Sequence, residues 1–410
     1  MVASWRGPGV EARIAAEARE FAGSVAAPLA ATIDREERYP LETVAIMAEA
    51  GLMGMTIPER FGGRGLPLSA AVAAVCEVAQ VCAATARIVV ESNMGAVGAI
   101  FAHGTEQQQR LASDLVLAGD KPAICISEPN AGSAATEMTT TARRVRGGYV
   151  LNGTKHWITG GGVSRIHLIF ARIMENEKDQ GIAGFLAIRD ETEGLVIGRR
   201  IPTMGLRAVP EREIHFQDMF VPDDMALIPD GDPARGFAKL MTAYNAQRCG
   251  AAAVALGIGQ GAFSQARDYL LEREQFGRPI AEFQGLQWML TDMSIGLAAS
   301  EALITKATIN AKERPGGFPD MAEAAQAKIL AAETAVKVTN DALQLHGAAG
   351  YSRDNPIERM VRDARMFTIG GGTAQVLRTQ VASSILGLKL PQTRDGVATP
   401  IAPVRPIAAE

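Results

Sequence analysis

The stretch GGYVLNGTKHWITGG, residues 147–161, decides how the chain divides. A strand-like Tyr149-Val150-Leu151 runs into the turn-forming pair Asn152-Gly153, and two glycines close the segment. The same texture extends on both sides, from KPAICISEP (121–129) to EREIHFQDMFVP (211–222). Between them RIHLIFARI (165–173), GFLAIRD (184–190) and LVIGRRI (195–201) are further short strand-like runs. This region is too poor in helix for a doubly wound sheet and reads as a compact β-domain over 119–232.

Both flanks carry helical periodicity instead. Ile14, Ala18, Phe21, Val25 and Leu29 mark an amphipathic helix over 10–33. Further helices are expected over 41–51, 68–103 with a break, and 105–117, with Thr105 as N-cap. These form an N-terminal helical domain, 1–118. After the β-domain, long amphipathic runs cover 236–271, 283–312 and 319–346, with ERPGGFPD (313–320) as a turn and a shorter run over 373–387. They suggest a C-terminal four-helix bundle over 233–390. Residues 391–410 form a Pro-rich tail. The fold class is therefore mainly α with a central β-domain.

Composition agrees. Hydrophobic residues make up 47% of the 410 and aromatics 5%, which favours helices packed through small aliphatic side chains. The net charge of −4, from 41 basic and 45 acidic residues, offers no basic excess for nucleic acid. No uninterrupted apolar run reaches about 18 residues, so no membrane span is expected. Cys76, Cys82, Cys125 and Cys249 form no C-x-x-C pair, and the histidines are scattered, so no metal site is expected. Free thiols and the lack of an apolar leader point to the cytoplasm.

Several motifs bear on chemistry. In CISEPNAGSAATEM (125–138) small residues allow backbone N–H groups to approach a phosphate or a ring, although an ordinary loop reads the same way. Trp157 suits either a core or the wall of a flat cofactor. In EREQFGRPIAEFQGLQWMLTDM (272–293) Arg273 can grip a phosphate and Phe276 can cover an adenine, or the segment is a solvated face. GIGQG (257–261) lies inside a helical run and is no dinucleotide fingerprint, and the GGGT at 370–373 lacks the lysine of a phosphate loop.

Together ISEPNAGS (126–133), LNGTKHWITGG (151–161), REQFGRPI (273–280), QLHGAAGY (344–351), ERMVRDAR (358–365) and GTAQVLR (372–378) resemble the acyl-CoA dehydrogenase superfamily of flavoproteins over about residues 10–388. The resemblance implies a helical domain, a β-barrel-like middle domain and a four-helix bundle. It also implies an acyl-CoA thioester substrate, and a homotetramer built as a dimer of dimers with FAD at a subunit interface. By motif, Ile126 and Ser127 would meet the flavin and Ser133 the pyrophosphate, while Trp157 and Thr159 would flank the ring. Arg273, Gln275 and Phe276 would hold the ADP half of a neighbouring subunit's FAD. Gln344, Leu345, Thr373 and Gln375 would complete that cleft.

The catalytic pattern departs from the resemblance. Most members carry a glutamate that removes the acyl α-proton, in a segment matching Ile369–Thr373; here Gly371 stands at that position. Some members place the base before an arginine at the start of the bundle; here YNAQRCGAAAVALG (244–257) puts Gln247 before Arg248, and an amide cannot take that proton. Ala134 also stands where aspartate is usual.

In CAATARIVVESNMG (82–95), Arg87 and Glu91 lie four apart. They form a surface pair, or Arg87 binds a distal anion with Glu91 orienting it. A distal anion site without a base resembles one subgroup, the 3-sulfinopropionyl-CoA desulfinases. They convert that thioester and water to propanoyl-CoA and sulfite without net oxidation. The resemblance implies Arg87 and Gln247 as catalytic residues. Substrate-binding residues would be Arg87, Glu91, Cys125, Ser133, Asn245 and Arg248, with packing the alternative for Cys125. The rival readings are a short-chain or dicarboxylic acyl-CoA dehydrogenase with an atypical base such as Glu91, and a non-catalytic flavin scaffold.

Overall fold

The structure is a computed structural model and describes residues 9–390 and 399–400. The Pro-rich tail lies outside the described residues apart from 399–400.

The N-terminal helices are α1 (Val10–Phe21), α2 (Ala27–Glu36), α3 (Leu41–Glu49), α4 (Leu68–Ala79), α5 (Ala83–Asn93), α6 (Ala96–His103) and α7 (Glu106–Leu117). A π-helical turn, Ala22–Ala26, joins α1 to α2, so the helix expected over 10–33 runs on to Glu36 with a local widening. Thr105 caps α7 in a reciprocal box with Gln108. Every residue of α5 is buried, including Arg87 and Glu91. A helix enclosed all round must pair its charges internally. The α5 pair is therefore not a surface one.

The central sheet contains β1 (Ala123–Cys125), β2 (Thr141–Val145), β3 (Gly148–Thr159), β4 (Ile166–Glu175), β5 (Lys178–Ile188), β6 (Leu195–Ile201), β7 (Glu211–Pro222) and β8 (Ala226–Leu227). The strand order is β6-β7-β3-β2-β4-β5-β8, with β1 added parallel to β4. The antiparallel β3–β7 register sets Thr159 opposite Glu211.

The bundle begins with α8 (Pro233–Glu272), capped by Asp232, whose side chain accepts from the Ala234 N–H. The glycines of 257–261 fall inside it. A two-residue hairpin, β9 (Glu274–Gln275) with β10 (Arg278–Pro279), leads to α9 (Gln284–Asn310). The bundle continues with α10 (Met321–His346), α11 (Ala348–Tyr351), α12 (Pro356–Met366) and α13 (Ala374–Leu386). The middle of α8 is buried almost without interruption from Asn245 to Ala262; the helix as a whole packs on α4, α5, α6, β5 and α10, and its N-terminal end meets β5 at Gly236 and Ile182. The helix therefore brings Gln247 and Arg248 beside α5.

Candidate active site

Two motif loops are locked together by one buried ion pair. Lys155 and Glu128 are almost wholly buried and lie 2.8 Å apart. The remaining Glu128 acceptor sites take the backbone N–H groups of Thr139 and Thr140, at 2.6 and 2.9 Å, and the Thr139 hydroxyl. Lys155 Nζ also donates to the carbonyl of Ile126, and His156 N–H to that of Ser127. Burial opposes the Glu128 charge, but these donors outweigh it and hold the carboxyl at about 2. Ile126 and Ser127 are thereby pinned against β3. The next residue, Trp157, has φ of 60° and is 53% exposed, so it is a surface wall and no part of the core.

Beyond Trp157, Thr159 leads into a buried charged cluster. Its hydroxyl donates to Glu211 Oε1 at 2.8 Å, and its carbonyl accepts from Lys121 Nζ at 3.2 Å. Lys121 also pairs with Glu91 Oε2. Glu91 Oε1 accepts from Arg87 Nε at 2.8 Å. Gly160 is what admits Lys121: a Cβ there would fall 2.0 Å from Nζ, and its φ of 78° suits glycine. Burial opposes the Arg87 charge, but Glu91, Tyr244 and Glu211 hold its pKa above the ordinary value. Burial pushes the Glu211 carboxyl up to about 7, although Thr159 and Arg87 pull it down. Among the described residues, the bond to Glu91 is the one hydrogen bond that Arg87 makes, leaving the rest of its guanidinium fork to other acceptors.

Helix α8 closes the other side. Arg248 lies over the Tyr244 ring, 5.9 Å from its centroid, and donates to Asn245 Oδ1 at 2.7 Å. The other end of the Asn245 amide reaches the Pro319 carbonyl. Both ends of Asn245 are thus engaged inside the bundle, one of them by Arg248. Gln247 is buried beside the α5–α6 junction, where a Cβ on Gly95 would be 2.6 Å from its Oε1. That Oε1 has no partner among the described residues. The loop Gly370–Gly372 is tied to the same region by Lys328, whose Nζ donates to the Gly372 carbonyl at 2.7 Å. Gly371 has φ of 74° and nothing within 4 Å of a built Cβ.

Cys125 is a correction. It has no accessible surface and packs with Ala142, Leu151 and Phe185 inside the sheet domain. Burial pushes its thiol up to about 12, so it is neither exposed nor nucleophilic. The strand alternates, turning Ile124 and Ile126 to the other face. Glu91 as an alternative base is also disfavoured, since both its oxygens hold cations.

The remaining motif residues lie outside this cluster. Ser133 is exposed on the loop after β1. Arg273, Gln275 and Phe276 are exposed on the β9–β10 hairpin, with Phe276 at 92%. Gln344 and Gln375 are exposed, Leu345 is buried, and the Thr373 hydroxyl caps α13 by accepting from the Val376 N–H. Lys121, Glu128, Lys155, Glu211, Tyr244 and Lys328 were not singled out from sequence. For Lys155 and Lys121 a signal existed, a lysine inside or beside an apolar strand-like run; for Glu211 none did, because its partners lie far away in the chain.

Three family models match the chain: acyl-CoA dehydrogenase N-terminal domain at residues 10–119, middle domain at 123–219 and C-terminal domain at 234–386. The chain belongs to the acyl-CoA dehydrogenase family. Among individual proteins it is 60% identical over 386 residues to a 3-sulfinopropanoyl-CoA desulfinase from Variovorax paradoxus, covering 93% of this chain and 96% of the relative. It is 38% identical to a short-chain specific acyl-CoA dehydrogenase from Clostridium acetobutylicum, covering 90% and 95%. The butyryl-CoA dehydrogenase structure from Megasphaera elsdenii superposes with a TM-score of 0.87 at 30% identity, covering 94% of this chain and all of that one.

Proposed function

We propose that the protein is a 3-sulfinopropanoyl-CoA desulfinase that cleaves the C–S bond of its substrate without net oxidation. The observation that carries this reading is a buried Arg87, presented by Glu91, in a site where Gly371 and Gln247 stand at both family base positions. A guanidinium suits a sulfinate, which offers two oxygens to its planar fork. In the reaction the C–S electron pair stays on carbon, which takes up a proton. The departing sulfur dioxide unit takes up water and leaves as hydrogen sulfite. No electrons leave the substrate, so an α-base is not needed, and its absence protects against ordinary dehydrogenation.

FAD is the cofactor of this reading, and the residues fit it. An aromatic wall at Trp157, the pinned Ile126–Ser127 backbone and the exposed small-residue loop around Ser133 offer a flat surface and donors. When bound, FAD would supply a flat ring able to accept a hydride. Arg273, Gln275, Phe276, Gln344, Leu345, Thr373 and Gln375 are assigned to the ADP half of a neighbouring subunit's FAD. That assignment is supported by the exposure of Phe276, a large apolar side chain that a partner would cover. In this reading copies of the chain associate, as a homotetramer built as a dimer of dimers. A cytoplasmic location is supported by four buried free cysteines.

The test is sulfite release from 3-sulfinopropanoyl-CoA by the purified yellow protein without an electron acceptor. Stoichiometric propanoyl-CoA and sulfite, with no dye reduction by butyryl-CoA, is the expected result. Dye reduction without sulfite would replace this reading with a dehydrogenase.

A further inference from the structure

Arg87 does not face the site alone. Counting the buried groups, Arg87 and Lys121 are cationic and Glu91 is anionic, which leaves the triad one positive charge. Glu211 decides whether that charge survives. Its Oε1 accepts from the Thr159 hydroxyl, while its Oε2 is buried with no hydrogen-bond partner among the described residues. A buried oxygen with no donor beside it weighs against the ionised form, because an unpaired charge costs more to bury than an unpaired neutral hydroxyl. The charged and titratable groups around it are Arg87 and Glu91 from α5, Lys121 before β1, and Tyr244 from α8, itself kept neutral by burial. Its strand neighbour Arg212 turns instead to the Gly198 carbonyl on β6.

We propose that Glu211 is the proton-holding member of an anion subsite. Protonated, it leaves the triad one net positive charge for the distal anion of an acyl thioester; ionised, it cancels that charge. Glu211 is a positioning residue here, acting through Arg87, and the inference rests on the reading of Arg87 as the anion-binding group. An arriving anion raises the proton affinity of a neighbouring carboxyl, so binding takes up a proton wherever Glu211 is ionised beforehand. Burial places that titration near neutrality, about 7.

The probe is succinyl-CoA, which carries a carboxylate in place of the sulfinate, with butyryl-CoA as the uncharged control. Calorimetric titration of the FAD-loaded protein in two buffers of different ionisation enthalpy reads the protons taken up. Succinyl-CoA binding is expected to take up close to one proton more than butyryl-CoA at about pH 8, and its Kd to rise by up to about tenfold per pH unit above about pH 7. Glu211→Gln, a neutral isostere, removes the uptake and flattens the profile. Glu211→Asp keeps a proton-holding group and shifts the midpoint, so the inference stays testable should the amide variant not fold. Preference for succinyl-CoA with no extra proton taken up overturns this inference alone. No preference for succinyl-CoA overturns it together with the anion-binding reading of Arg87.

Discussion

Lys328 on α10 donates a 2.7 Å hydrogen bond to the carbonyl of Gly372, the last glycine before Thr373 caps α13. Lys328 has no accessible surface, and among the described residues no carboxylate forms a salt bridge with it. Burial first, then Arg248 and Arg87, brings its pKa down to about 7. An unfolded lysine titrates near 10.4, so the unfolded chain binds more protons between these values. The contribution of Lys328 to stability is therefore present at alkaline pH and is lost as pH falls through about 7. Lys328→Met removes this dependence. Thermal unfolding of both proteins should show the wild type gaining on the variant by on the order of 2 kcal/mol between about pH 7 and 9. An unchanged gap would mean that the ammonium keeps its ordinary titration.

Gly371→Glu returns a carboxylate to the family position. A Cβ there meets nothing within 4 Å, so the side chain has room. Its φ of 74° is the obstacle, with a cost of about 1–2 kcal/mol for a residue with a side chain. The variant should fold with a slightly lowered Tm, bind FAD, and acquire slow acceptor-dye reduction with butyryl-CoA while sulfite release falls. A folded yellow variant with no dye reduction would show that the carboxylate alone does not restore proton removal.

Arg87→Lys keeps the charge but loses the planar fork. Lysine can satisfy Glu91 or the distal anion, and a single ammonium at that depth cannot bridge both with the same geometry. A lost charged hydrogen bond is worth about 1.5–3 kcal/mol, so sulfite release should fall by about 10- to 150-fold. Butyryl-CoA affinity, which needs no distal anion contact, should hold within about twofold. Equal turnover in the two proteins would move the anion site elsewhere.

Local chemistry explains which of these features were readable before the structure. The Thr105 capping box needs only residues three apart, and the Arg87–Glu91 spacing is likewise local. Burial of that pair is not local. It results from α4 and α8 closing around α5, with α8 more than a hundred residues later in the chain. Lys121 and Glu211 reach the cluster through strand register and the gap at Gly160, which no sequence window contains. Cys125 failed for the opposite reason. Its neighbours Ile126 and Ser127 do line the motif loop, but strand alternation turns its own thiol into the core. The π-helical turn at Ala22–Ala26 likewise leaves the apolar periodicity intact enough to read as one plain helix.

Asp34 offers the clearest test of how the three parts of the chain hold together. Its carboxylate lies on α2 and accepts from Arg207, in the segment between β6 and β7, at 3.0 and 2.6 Å. It also accepts from Arg362 on α12, at 3.1 and 2.7 Å. Burial opposes the charge, yet the two guanidinium groups outweigh it and hold the carboxyl at about 2. Asp34→Ala would leave Arg207 with the more distant Glu37 and Arg362 with Glu358, and the loss of a buried partner of two arginines should cost about 3 kcal/mol near neutral pH. The native state binds fewer protons than the unfolded chain between about pH 2 and 4, so this contribution is complete above about pH 4 and is lost as pH falls toward about 2. Wild type and variant should therefore differ most in Tm at about pH 7 and converge on acidification toward about pH 3. A gap that stays constant over that range would assign the stability to packing around Asp34 and not to its charge.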